Sequence, residues 1–303
     1  MAAEERLIST AEGTMRSAFG ATEWLLLSAT ALMWGSSFLL IAFALEGFRP
    51  LAVTFVRVSL GLVFVMTLPA ARLARFAASD RPRLALLGVS WLALPLVLYP
   101  IAQRHVSSSV AGMITGSQPL MVAAMAAVLL RRRPRQAAAG GLAVGFVGVL
   151  LVVSASTKGA KSASVGGTVL ILVAVACYAL ATNLAVPLQQ RYGALAVIGR
   201  AQLVAFVLLL VPGVVALAQS TPTVGSIAAI LPLGVICTGA GYVSFTTLVG
   251  RAGATRGAVA IYLVPVVAIA LGVLFRDERP SPVALVGVAL VTLGALVVGR
   301  SEH

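Results

Sequence analysis

The chain reads as an all-α integral membrane protein of ten transmembrane helices, arranged as two inverted five-helix repeats with both termini in the cytoplasm. Three observations predict this. Of 303 residues, 60% are hydrophobic and only 10% charged, where a soluble domain carries about 25% charged. The apolar residues fall into ten runs of near-span length. The two halves of the chain also match one another at a fixed shift. A soluble fold would leave much of that apolar surface facing water, so lipid must solvate most of the chain.

Crossing a hydrocarbon core of about 30 Å takes about 20 apolar residues in a helix. The first 22 residues are mixed in charge and lack an apolar signal core, so they read as a polar cytoplasmic tail. Span 1 (24–45) follows and stops ahead of Arg49-Pro50. Span 2 (51–70) gives way to a loop holding Arg72, Arg75, Arg81 and Arg83. Span 3 (84–102) ends at Arg104-His105. Span 4 (108–130) runs into the basic stretch 131–135, and span 5 (136–154) closes the first repeat, 23–154. A connecting loop, 155–163, carries Lys158 and Lys161. Span 6 (164–187) and span 7 (194–218) surround Arg191, and Thr221-Pro222 separates span 7 from span 8 (226–249). Span 9 (256–275) ends at Arg276, Asp277, Glu278, Arg279 and Pro280. Span 10 (281–299) completes the second repeat, 164–299, before a tail of residues 300–303. The runs are continuously apolar rather than alternating, which selects helices over barrel strands.

Orientation follows from the basic residues. With the N-terminus inside, fifteen of the 22 lysines and arginines lie on the cytoplasmic side and seven outside. Lys158 and Lys161 run against the bias. The basic stretch 131–135 is then a topology signal between two spans and not a nucleic-acid patch.

One constant shift aligns the halves without a gap over some sixty positions. Gly88-Val89 falls on Gly234-Val235, Tyr99 on Phe245, Ser109 on Thr255 and Pro119 on Pro265. Arg133-Pro134 falls on Arg279-Pro280, Gly141 on Gly287 and Gly148 on Gly294. Five spans per half is an odd number, so the second half must enter the membrane inverted. The loops agree: the basic stretch 131–135 has as its counterpart a stretch balanced by Asp277 and Glu278. Inverted repeats of this kind build secondary transporters whose solute site lies at the repeat interface near the midplane.

In span 1, Trp34-Gly35-Ser36-Ser37-Phe38 is similar to the WG-S-N-F signature of the EamA-type proteins of the drug/metabolite transporter superfamily, with Ser37 where Asn is usual. Arg57 sits where that family often carries an arginine in its second span. Pro265, Glu278 and Gly287 resemble the family's ending of the second repeat. Glu278 has Arg132 as its first-half counterpart, where the family often has Glu. The resemblance covers about residues 24–299. It implies transport, often export, of small metabolites and leaves the solute open.

Chemistry at depth is sparse. His105 and His303 are the two histidines, and Glu23, Glu46, Asp277 and Glu278 lie at span ends or in loops. Cys177 and Cys237 sit inside apolar runs, which argues against a disulfide framework. Paired carboxylates, Ser-His couples and zinc sites are therefore not expected, and neither an enzyme, a metal nor a cofactor is predicted. The same pattern argues against proton coupling through a membrane carboxylate.

A polar side chain in hydrocarbon must find a partner or face a cavity. The candidate solute-contacting residues are Trp34, Ser37, Arg57, Trp91, Tyr99, Gln118, Tyr178, Asn183, Tyr242 and Tyr262. Interhelical hydrogen bonding and an interfacial aromatic belt are the competing readings. Tyr178 stands in the second half almost where the repeat would place Trp34, so one aromatic position serves both halves. Arg57 lies roughly 9 Å into span 2 at 1.5 Å per residue, near the limit from which an arginine reaches up to the headgroups, which is its alternative reading. Arg200 lies at matching depth in span 7, which suggests a functional pair. Pro119 and Pro265 are candidate hinges, and Gly141 with Gly145 reads as a close helix contact. The expected partners are a small-molecule solute and the lipid bilayer, with no nucleic acid, in a monomer or homodimer of the bacterial inner membrane. The function predicted is secondary transport of amino acids or related polar or amphipathic solutes, directed outward. Drug or toxic-compound efflux and a lipid-handling role are the alternatives.

Overall fold

A computed structural model describes residues 20–129, 136–156, 164–252 and 257–301. Most of the N-terminal tail, the basic stretch 131–135, most of the connecting loop, Arg256 and the last two residues fall outside them. Among the described residues there are helices and no strands.

Among the described residues eight helices are long and apolar enough to cross a membrane: α1 (Ala21–Ala44), α2 (Pro50–Thr67), α3 (Ala78–Ala102), α4 (Ser108–Leu129), α5 (Gln136–Ser156), α6 (Val165–Tyr192), α7 (Ala194–Ala218) and α8 (Val224–Ala252). Two shorter apolar stretches follow, Ala260–Arg276 (α9) and Pro282–Gly294, the latter within a helix running Pro282–Ser301 (α10). Each of the ten expected runs therefore carries an apolar helix, and eight meet the length of a span.

Local chemistry sets the ends. Pro50 opens α2, where its missing N–H would have no partner anyway. Ser164 caps α6 by accepting from the Gly167 amide at 3.0 Å. Thr223 and Ser226 cap α8 reciprocally. Gly193 ends α6 at φ 83°, a conformation that a residue with a Cβ enters only under strain. Glu278 is the most telling cap. Its carboxylate accepts from the Ser108 amide at 2.9 Å, the Ser108 hydroxyl at 2.7 Å and the Ser109 amide at 2.8 Å. A loop after α9 thus neutralises the positive end of α4.

Two helices widen at equivalent places. Gly88–Ala93 in α3 and Leu233–Ala240 in α8 are π-helical, and the shift that lays Gly88 on Gly234 superposes them. Two others break at equivalent places. A turn at Gly116 and Ser117 divides α4 just before Pro119, and a 3₁₀ helix over Ala258–Leu263 overlaps the start of α9 just before Pro265. A Cβ on Gly116 would come within 2.5 Å of the Pro265 ring, so the two breaks touch.

Packing crosses between the halves. α2 packs on α7, α4 on α9 and α5 on α10, while α1 meets α8 and α9 just as α6 meets α3 and α4. Lipid offers no hydrophobic drive for helix association, so close approach must supply the contact energy. Small residues provide it. A Cβ on Gly148 would lie 2.6 Å from the Gly287 carbonyl oxygen, and one on Gly294 would lie 2.4 Å from that of Gly141. The close contact expected at Gly141 and Gly145 is therefore with α10. Outward-facing side chains stay apolar: Val128, Val211 and Leu274 are more than 70% exposed, as a lipid-facing surface requires.

Candidate functional site

The π-helical segments build the centre of the molecule. Pro95 has no N–H to give the Trp91 carbonyl four residues earlier, so that oxygen is free for another donor. The Tyr242 hydroxyl takes it at 2.9 Å. At the equivalent position in α8, the Cys237 carbonyl accepts from the Trp34 indole at 3.1 Å. Widened helical turns thus offer backbone oxygens to side chains of other helices, a common feature of functional regions.

An aromatic cluster grows from these anchors. Trp34 stacks towards Tyr178 at 6.5 Å between ring centres, and Tyr178 towards Tyr99 at 5.9 Å. Tyr242 meets Trp34 edge-on at 5.1 Å and Trp91 at 5.8 Å. The Tyr99 hydroxyl shares a 2.6 Å bond with Thr115, and the Tyr242 hydroxyl, its proton given to Trp91, lies 3.3 Å from that of Tyr178.

Arg57 enters this cluster from α2. It is 3% exposed, and its Nε donates to the Thr238 hydroxyl at 3.0 Å. Its terminal nitrogens make no hydrogen bond and no ion pair among the described residues. Arg57 lines a small cavity with Trp34, Ser37, Tyr99, Gln118, Tyr178 and Tyr242, and Leu96 and Val264 complete the wall. About 30 Å³ remains free, which admits a water molecule or two and no metabolite. Gln118 is 1% exposed and its amide nitrogen has no partner. A larger hollow of about 810 Å³ opens beyond it, lined by the α1–α2 connection, the end of α3 and the end of α7, with Arg49 and Arg104 in its wall.

Residues 22–154, and again residues 165–300, match the EamA-like transporter family. The chain belongs to the EamA-like transporter family. A protein of Streptantibioticus cattleyicolor named "Probable terminal-alkyne amino-acid exporter" is 29% identical over 89% of this chain and 91% of its own length. An uncharacterized transporter of Archaeoglobus fulgidus is 24% identical, over 92% of this chain and 99% of its own. A solved structure shares the fold with a TM-score of 0.68 at 17% identity, covering 92% of this chain and 96% of that one. This EamA protein is therefore a multi-pass protein of the cell membrane, and its relatives' names indicate transport rather than catalysis.

The EamA signature of α1 now has a physical reading. Trp34 reaches the α8 backbone, and Gly35 lets α1 approach α9, where a Cβ would meet Val267 at 2.4 Å. Ser36 lies 3.8 Å from the Cys237 sulfur, Ser37 donates to the Trp34 carbonyl at 2.6 Å, and Phe38 meets Tyr99 edge-on.

The structure gathers Trp34, Ser37, Arg57, Tyr99, Gln118, Tyr178 and Tyr242 around one cavity, with Trp91 buried behind Tyr242. Asn183 lies elsewhere: its amide donates to the Val122 and Ala179 carbonyls at 3.1 and 2.9 Å. Tyr262 packs with Leu120, Ala123 and Val291. Arg200 does not pair with Arg57. Its guanidinium sits 6.0 Å over the Phe76 ring and is only half-buried. The residue that does meet Arg57's surroundings from α7 is Gln202, fully buried, whose amide donates to the Thr238 carbonyl at 3.3 Å. Sequence reasoning missed Gln202 and Thr238. The repeat held a signal for Gln202, which stands one position short of Arg57's counterpart in the second half, while Thr238 is one hydroxyl among many in apolar helices.

Among the described residues no group of three or more His, Cys, Asp or Glu side chains could hold a metal ion.

Proposed function

We propose that this chain is a secondary transporter that exports small amphipathic metabolites, amino acids and their relatives, by alternating access. In this reading residues 23–154 and 164–299 are two inverted five-helix halves, the chain crosses ten times, and both termini are cytoplasmic. The solute occupies the cavity between the halves and contacts Trp34, Ser37, Arg57, Tyr99, Gln118, Tyr178 and Tyr242, with Trp91 behind. The protein acts as a monomer or homodimer.

The observation that carries the reading is the double parentage of the cavity. Arg57, Tyr99 and Gln118 come from the first half, Tyr178 and Tyr242 from the second, and each half lends a π-helical carbonyl to hold an aromatic wall. A rocking motion of one half against the other would open such a cavity to one side at a time. The touching breaks at Gly116 and Pro265, with Pro119 behind the first, are the hinges we assign to that motion. The relative named an amino-acid exporter supports the solute class and the direction.

The test compares metabolites accumulating in the medium of cells with and without the protein. Faster appearance of amino acids or related acids supports export. Unchanged media, together with movement of labelled lipid in proteoliposomes, would replace the transport reading with a lipid-handling one. Faster loss of unrelated hydrophobic cations would favour drug efflux.

A further inference from the structure

We infer that the solute carries a carboxylate on an apolar, planar body, and that Arg57 is the residue that selects it. The inference rests on the transport reading and deepens it.

A guanidinium taken out of water carries a desolvation penalty of several kcal/mol unless an anion or a full set of acceptors replaces the lost hydration. Arg57 has one acceptor, the Thr238 hydroxyl on Nε. Its two terminal nitrogens, with four N–H bonds, have no partner among the described residues, and the side chain lines the cavity. The carboxylates with partners lie elsewhere. Glu23 pairs with Arg251, Asp80 with Arg191, Glu46 with Arg276, and Glu278 caps α4. None lines the cavity. Among the described residues no carboxylate answers the positive charge at the centre, and an anion entering the cavity would neutralise it.

The free atoms also have the right shape. With Nε tied to Thr238, the two terminal nitrogens present a planar fork, which matches the two oxygens of a carboxylate by parallel hydrogen bonds. Thr238 holds the guanidinium plane in place, so the fork is oriented before the solute arrives. Gln118 adds a second unpaired polar group nine-tenths buried at the same cavity.

The remaining walls specify the body. Trp34, Tyr178 and Tyr99 lie within 26° of parallel in successive pairs, and Leu96, Ile41 and Val264 close the cavity with aliphatic surface. Such walls reward flat apolar groups by stacking and burial. A small hydrophilic dicarboxylate would find no second cation here. A simple amine would meet the guanidinium's repulsion.

The experiment uses the full-length protein in detergent and a series sharing one body: 3-phenylpropionate, its amide 3-phenylpropanamide, and phenethylamine. Binding is read by thermal stabilisation and tryptophan fluorescence, with sodium chloride as the anion control. The expected order is carboxylate above amide by at least tenfold in affinity, with the amine weakest. Arg57→Gln should remove the preference for carboxylate over amide, and Arg57→Lys should weaken carboxylate binding by about tenfold while keeping its sign. Equal binding of carboxylate and amide by the unaltered protein overturns the inference, whether or not the variants fold. So does stabilisation by chloride equal to that by the carboxylate. If the carboxylate binds selectively yet vesicles show no carboxylate exchange, the transport reading fails while this assignment stands.

Discussion

At the scale of single residues, the site depends on who holds Arg57. Thr238 performs two tasks with one hydroxyl: it donates to the Leu233 carbonyl at 2.8 Å and accepts from Arg57 at 3.0 Å. Removing a hydrogen bond to a charged buried group costs about 1.5–3 kcal/mol. Thr238→Val keeps the side chain's shape and removes both of those bonds, the acceptor for Arg57 among them. Solute affinity should fall by about tenfold or more, because the guanidinium fork loses its orientation, and the protein should stay monodisperse. Affinity unchanged in Thr238→Val, measured by the same fluorescence titration, would show that the fork needs no positioning. Gln202 offers a contrast. It reaches the Thr238 carbonyl rather than its hydroxyl, so Gln202→Leu should disturb the π-helical turn without changing which solutes are preferred.

At the scale of helices, most of the architecture was legible in the sequence, because apolar length and charged punctuation are local properties. Helix ends fell within a few residues of the structure at nearly every run. For Arg57 the sequence left two readings, an interior group or an anchor reaching to the headgroups, and the structure buries the side chain. The π-helical turns were not. They arise where Pro95 withholds an N–H and where neighbouring helices supply donors, and neither the Trp34–Cys237 nor the Tyr242–Trp91 bond has a local pattern. The pairing of Arg57 with Arg200 failed for a related reason: equal depth does not fix the face of a helix, and Arg200 turns towards Phe76. Glu278 was recognised as a family residue, but its role as the cap of α4, far away in the chain, belongs to tertiary structure.

Two predictions belong to this scale. Gly148 and Gly140 lie on the same helix, yet a Cβ would strike the Gly287 backbone at one and meet nothing within 4 Å at the other. Overpacking of this kind costs about 1–3 kcal/mol. Gly148→Val should lower the thermal midpoint clearly, while Gly140→Val should leave it unchanged; equal midpoints would mean that α5 and α10 adjust freely. The second concerns two acids at the ends of helices. Glu278 anchors α4 through three hydrogen bonds, so Glu278→Gln should cost about 1–2 kcal/mol of stability. Glu46 is half-exposed in its pair with Arg276, and Glu46→Gln should cost less than about 1 kcal/mol. Glu278 lines neither hollow, so Glu278→Gln should not alter the pH dependence of transport. A shifted pH profile in Glu278→Gln would place a coupling proton on that carboxylate after all.

At the scale of the whole molecule, the remaining question is which way the protein faces, and the charges favour one answer. In the proposed topology fifteen of 22 basic residues lie on the side of the α2–α3 and α4–α5 connections, and translocation disfavours carrying such clusters across. The large hollow with Arg49 and Arg104 lies on the other side, at the α1–α2 connection. With the termini inside, that hollow is an extracytoplasmic vestibule placed beyond the closed central cavity, as an exit path requires. Leu45 in its wall is one helical turn from Ile41 in the cavity wall, so only a thin layer separates them. The orientation is tested in a background with Cys177→Ser and Cys237→Ser. Ser164 caps α6 at the exposed surface on the vestibule side, and Arg72 is exposed in the opposite connection. Ser164→Cys should react with an impermeant thiol reagent in intact spheroplasts, and Arg72→Cys only after the membrane is opened. The reverse pattern would turn the protein over: the vestibule would then collect solute from the cytoplasm, and Arg49 and Arg104 would be its first contacts rather than its last.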